Sequence, residues 1–302
     1  MAVQPYDQPL WGTMTSEIIR LKVDRDFSLM PWLLPARVRA DVRALGRFVR
    51  LAESAALSPL ASREDRQARL AALLAALGPP ADGEPPTLLP DEAAAARDLL
   101  ASIHRHGVSA EHARTILVTL QRAAAAHPLD GRSAGSASWA DVLDYCRGVA
   151  APVGGHMLAL CREDAAACGP PADALCSALR ILKELRDGSA GGGPWLCIPA
   201  SFMRDASISP GHLAASSARG QTRAVLDRVL DGVDALLAEA ERLPSLVADR
   251  RLRLYVCVVL CRARKLARRF RLRDPLQEKV GLSRWQRHGC LLLSLAGAAR
   301  RG

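Results

Sequence analysis

Helical periodicity runs through almost the whole chain, and no stretch alternates convincingly as a strand would. The segment "ARVRADVRALGRFVRLAESAAL" sets Val38, Val42, Leu45, Val49 and Ala52 at steps of four and three residues. That spacing lays one apolar stripe along a helix, with arginines beside it. Ser62 and the acids after it cap "SREDRQARLAALLAALG", which a glycine closes. Asp91 opens "DEAAAARDLLASIHRHG", and another helix follows from Ser109. "WADVLDYCRGVAAPVGGHMLALCRED" is apolar with small residues that suit close helix packing. Three further helical stretches follow: "ADALCSALRILKELRD", "GQTRAVLDRVLDGVDALLAEAERLP" and "RRLRLYVCVVLCRARKLARRFRLRD", with a short terminal helix after them.

Proline and glycine punctuate this pattern. "PPADGEPPTLLP" and "PLDGRSAGSAS" cannot continue a helix, so surface loops are expected near 78–90 and 128–138. Residues 1–20 read as an arm with a few apolar anchors, and 21–302 as a single all-α domain built on a helical bundle. With 49% apolar and 24% charged residues the chain can bury a sizeable core. No regular repeat interrupts it.

A formal charge of +10 suits an anionic partner: nucleic acid, an anionic membrane face or phosphorylated small molecules. A composition rich in arginine and alanine accounts for that charge without any partner, and is the better account of charge alone. The eight cysteines form no CxxC pair and have no matching histidine spacing, which argues against zinc and for a reducing, cytoplasmic location. Cys257 and Cys261 are expected as small buried groups. His156, in an apolar small-residue segment, is expected as a hydrogen-bonded core residue. The N-terminus lacks a signal-peptide pattern, and "YVCVVLC" and "CLLLSLAGAA" are too short to span a bilayer. "RARKLARRFRLR" holds seven basic residues. It suits an anionic membrane surface or a nucleic acid, but a solvated outer face with snorkelling arginines is the better account.

Two places could carry chemistry. Arg47, Arg50 and Glu53 lie near one another on the first amphipathic helix, where the arginines offer planar donor forks to phosphate oxygens. A solvated polar face is the better account of these residues taken alone. The second place is "ALRILKELRDGSAGGGPWLCIP", where Lys183, Glu184, Arg186 and Asp187 end a helix that dissolves into glycines. Cations at a helix C-terminus offset its dipole, and Lys183 with Asp187 is an ordinary i, i+4 pair. A metal reading needs a second carboxylate one turn on, and position 191 is glycine. Asp187 alone is poor equipment for a hard divalent ion.

Four segments, in order over about residues 26–285, resemble the squalene/phytoene synthase family. They are "FSLMPWLLPARVRADVRALGRFVRLAE", "DVLDYCRGVAAPVGGHMLALCRE", "ADALCSALRILKELRD…CIP" and "LPSLVADRRLRLYVCVVLCRARKLARRFRLRDPLQEKVGLS". The presqualene-diphosphate-forming subgroup of hopanoid pathways is the most similar in pattern. The resemblance implies an all-α isoprenoid-synthase bundle around an apolar cavity. It also implies two aspartate-rich helix segments that hold Mg²⁺ and grip prenyl diphosphates. Magnesium there neutralises the charge growing on the leaving diphosphate.

Aligned with that pattern, the chain departs at the metal ligands. Arg50 matches the arginine before the first acidic motif, but the motif itself reads Glu53, Ser54, Ala55, Ala56, Leu57. In the second motif Lys183 stands at the asparagine, Asp187 is kept, and the last aspartate is Gly191. The further aspartate usual on a preceding helix has no counterpart in "TLQRAAAAHPLD"; Asp130 lies further on. Tyr145 and Val153-Gly154 match, while the tyrosine of the family's "YLP" is Cys197. Glu53 and Asp187 are therefore the candidate metal ligands, for at most one weakly held Mg²⁺. Arg47, Arg50, Lys183 and Arg186 are candidates for the substrate diphosphate, and Tyr145 is the candidate for a catalytic role.

Three functions are compatible with this reading. One is a pseudoenzyme that binds a prenyl diphosphate or lipid phosphate without metal, or supports an active paralogue. Another is a working head-to-head prenyltransferase with Mg²⁺. The third is a non-catalytic assembly protein that uses the fold only as an interaction surface, at a membrane in one version; no nucleic-acid partner is expected.

Overall fold

The computed structural model describes residues 32–58, 61–78, 88–126, 136–188, 197–214 and 220–299. The expected arm at 1–20, most of both expected loops, Asp130 and Gly191 lie outside them.

After a 3-10 turn at Ala36–Val38, the chain runs through α1 (Arg39–Ala56), α2 (Arg63–Ala76), α3 (Pro90–His106) and α4 (Glu111–Ala126). It continues with α5 (Trp139–Val149), α6 (Ala151–Cys161) and α7 (Ala165–Gly188). A short α8 (Ala200–Asp205) and a 3-10 turn (Pro210–Ala214) precede α9 (Gln221–Ala240), α10 (Leu243–Leu246), α11 (Arg250–Leu272) and α12 (Arg284–Ala299). Among the described residues no strand forms, and Ser136 and Pro199 make one isolated parallel bridge.

Local chemistry sets the boundaries. Ser62 and Asp65 form a reciprocal capping box, as do Ser138 and Asp141, so two orphan N–H groups are satisfied at each start. Pro90 rather than Asp91 begins α3, because proline at the first helical position gives up only an N–H that has no partner there. Gly107 ends α3 at φ 64°, a left-handed conformation that glycine adopts without Cβ strain. The apolar segment from Trp139 divides at Ala150, where Pro152 can enter only at the start of a new helix.

Two apolar cores result. One gathers α1–α4 around Leu45, Phe48, Leu70, Leu99 and Leu117. The other gathers α5–α7, α9 and α11 around Ile181, Leu182, Val229, Val258 and Leu266. Val38, Val42, Leu45 and Ala52 of the expected stripe are buried, and Val49 packs beside them half-buried. Val108 and Tyr145 pack against both cores, so Tyr145 marks the seam between them.

Two expectations need correction. His156 is fully buried, but neither ring nitrogen has a partner among the described residues. Its neighbour is the His112 ring, edge-on at 5.7 Å between centroids. Cys257 and Cys261 are half-buried and line a cleft, with Cys261 packed against the edge of the core rather than enclosed in it.

Candidate functional site

Helix α7 presents Arg180, Lys183, Glu184 and Asp187 at i, i+3, i+4 and i+7, which places all four on one face. That face looks across the seam at Glu53, near the end of α1, and at Tyr145 of α5.

Arg180 is the centre of the cluster. Its side chain is only 7% exposed; one guanidinium nitrogen donates to Glu53 and another to Tyr145 Oη at 2.7 Å. The guanidinium also lies over the Tyr145 ring, 5.4 Å from its centroid. Burial alone would raise the Glu53 carboxyl, but Arg180 and then Lys183 outweigh it and hold the carboxyl below its ordinary range. Burial raises the Tyr145 phenol well above its usual value, so Tyr145 stays protonated and can accept from Arg180 while keeping its own proton.

Lys183 bridges the two candidate metal ligands. Its Nζ is 3.8 Å from Glu53 Oε2 and 3.3 Å from Asp187 Oδ2. Arg186 donates to Asp187 Oδ1 at 3.3 Å from a side chain that is itself buried. Both carboxylates are thus already matched by fixed cations.

Glu184 has a different task. It accepts from the Cys197 backbone N–H at 2.5 Å, and the Cys197 thiol lies 3.1 Å from its other oxygen. This tie sets Cys197 against α7, and just beyond it Ala200 and Ser201 donate to the carbonyls of Ser136 and Ala137 ahead of α5. Burial raises the Glu184 carboxyl, and Arg180 with the Cys197 donors offsets part of that rise.

The other sequence candidates fall elsewhere. Arg47 reaches α3, pairing with Asp91 at 3.1 Å and Asp98 at 3.4 Å. Arg50 is exposed and forms no ion pair among the described residues. Glu163 caps the Ala248 and Asp249 N–H groups, Asp164 caps α7, and Asp144 pairs with Arg147. These three acids are committed to other contacts. Sequence reasoning overlooked Arg180, although its position three residues before Lys183 on the same face was a usable signal.

Magnesium requires close to six oxygens in octahedral geometry. The described residues bring two carboxylates, both ion-paired, and no group of three or more ligating side chains. A Mg²⁺ ion would have to displace Lys183 against its positive charge. The residues present do not fit the ion.

A family model for squalene/phytoene synthase matches residues 21–286. The hydroxysqualene synthase of Sinorhizobium fredii is 30% identical over 265 residues, covering 86% of this chain and 84% of its own length. That of Zymomonas mobilis is 25% identical over 278 residues, covering 91% and 88%. A crystallised dehydrosqualene synthase in complex with ligand superposes with a TM-score of 0.71 at 17% identity, over 95% of this chain and 96% of that one. YisP of Bacillus subtilis follows at 0.57 and 14% identity, over 86% and 99%. At such identities the structures establish the isoprenoid-synthase type of all-α fold. With the same bundle, the same segment order and a family match along most of its length, the chain belongs to the squalene/phytoene synthase family.

Proposed function

We propose that this protein of isoprenoid biosynthesis is a metal-site-degenerate pseudoenzyme that holds a prenyl diphosphate through side-chain cations. The observation that carries the reading is Lys183, whose ammonium stands between the two surviving carboxylates. A side-chain cation there supplies counter-charge without the vacant coordination sites through which a metal acts on a leaving group. Lys183 is about one-third exposed and its contacts are loose, so it can turn to a diphosphate at little cost. Exposed Arg50, three residues before Glu53, adds a second donor fork, and Arg186 lies on the far side of Asp187. Arg47 contributes only by leaving Asp91 and Asp98. Tyr145 positions Arg180 rather than exchanging protons. The product or substrate of an active paralogue fits this role, and the apolar carbon chains of such a ligand suit a protein that works at the inner membrane face.

The test is equilibrium binding of farnesyl diphosphate with EDTA present. Binding that persists without metal and weakens at least ten-fold in Lys183→Ala supports the reading. Binding that appears only with Mg²⁺ overturns it.

The name shared by the relatives, hydroxysqualene synthase, favours a second reading: an active enzyme that ionises a prenyl diphosphate. Pyrophosphate release in the presence of Mg²⁺, lost in Asp187→Ala, establishes it in place of the first.

A further inference from the structure

Helix α12 wears its polarity inside out. Ser294 is 8% exposed and Cys290 fully buried, whereas Trp285, Leu292 and Leu293 are 85%, 66% and 61% exposed. Of the eight large apolar side chains exposed among the described residues, four lie on this helix, with Leu295 the fourth. Isolated exposed leucines need no explanation, but such a concentration on one helix marks a surface that meets something apolar.

The charges beside it identify that partner. Trp285, Gly289, Leu292 and Ala296 follow one another along one line of α12 at steps of four, three and four. Lys265 of α11 flanks that line: a Cβ at Gly289 would lie 3.7 Å from its Nζ. Arg268, one turn on, is exposed. Neither Lys265, Arg268 nor Arg284 forms an ion pair among the described residues. The same two cations edge a cleft of about 660 Å³, with Arg264 on its rim and Cys257, Leu260 and Cys261 among its lining. No acid occurs anywhere after Glu278. A second copy would bring the same cations and be repelled. An anionic bilayer offers both complements, acyl chains for the leucines and tryptophan, and phosphates for the lysine and arginines. Among the described residues no helix is long and apolar enough to cross a membrane.

We infer that α12 lies flat on an anionic lipid surface, with Trp285, Leu292 and Leu293 inserted and Lys265 and Arg268 set against the headgroups. This surface does not depend on the functional reading of the α1–α7 site. It delivers the protein to the phase in which long prenyl chains reside.

Co-sedimentation of the full chain with vesicles tests it, comparing pure phosphatidylcholine with the same lipid mixed with phosphatidylglycerol. Binding is expected to the anionic vesicles and to fall steeply with salt. Leu292→Glu/Leu293→Glu, shown to be folded by circular dichroism, should lose at least about ten-fold. Lys265→Gln/Arg268→Gln, a milder surface change, should lose about five-fold per cation at low salt. Equal binding to neutral vesicles, no binding to either, or unchanged binding by the folded Glu variant overturns the inference. So does a dimer in light scattering that the Glu variant dissolves, because self-association then explains the exposed face.

Discussion

Lys183 of α7 holds its ammonium 3.8 Å from Glu53 Oε2 on α1, joining the two halves of the bundle by charge. Arg180 reinforces the junction from deeper in, since it serves the same carboxylate and the Tyr145 hydroxyl. The acids left at this seam are consequently structural partners of cations, with measurable consequences.

Glu53→Gln leaves the Arg180 guanidinium buried without its counter-charge, and is expected to cost about 3–5 kcal/mol of stability. Pairing it with Arg180→Met should recover most of the loss, because an apolar side chain needs no counter-ion there. Urea unfolding of the single and double variants checks this. A loss for Glu53→Gln below about 0.5 kcal/mol, the level of an ordinary surface change, contradicts it.

Removing the internal cation should uncover metal binding. In Lys183→Ala the carboxylates of Glu53 and Asp187 lose a shared partner, and millimolar Mg²⁺ is then expected to raise the melting temperature. The unmodified protein should show no such shift. Equal Mg²⁺ responses in both proteins would mean that Lys183 does not guard the site.

His156 predicts an acid-side loss of stability. Burial first, and then the neighbouring His112, lowers its pKa to about 4, while Asp41 opposes and His106 adds to the fall. Unfolded, the ring titrates near its ordinary value of 6.5. Between those values the unfolded chain binds the extra proton, so stability is complete above 6.5 and drains away as pH falls towards 4. The loss amounts to about 3 kcal/mol. Chemical denaturation across that window should follow this slope, and His156→Leu should flatten it; an unchanged slope in the variant rules the residue out.

Gly232→Ala tests the packing of α9 on α5. A Cβ at that position would overlap Trp139 Cζ2, within a ring that also stacks on Phe202. The ring has to move, at a cost of about 1–3 kcal/mol. Trp139→Val in the same chain should remove the penalty; if Gly232→Ala alone is neutral, the approach of the two helices is looser than described.

Much of this architecture was legible from the residues in order. Period, breakers and caps are local, so the stripe from Val38 to Ala52, the cap at Ser62 and the break-up of the helix after Asp187 follow from neighbours within one turn. That Ser54, Leu57 and Gly191 offer no carboxylate was equally visible, because an acid absent from the chain is absent from any fold of it. Tertiary structure decided what the remaining charges do. Arg180 reads in sequence as one more arginine on a polar face, and becomes the hub only because α1 and α5 bring Glu53 and Tyr145 to it. Arg47, one turn and a half before Glu53, turns instead to α3 and its aspartates. Glu184 looks like a metal-site neighbour and serves as an anchor for Cys197. Ion pairs between helices depend on distances across the fold, which falls of a few ångströms make or break, and sequence spacing carries no information about them.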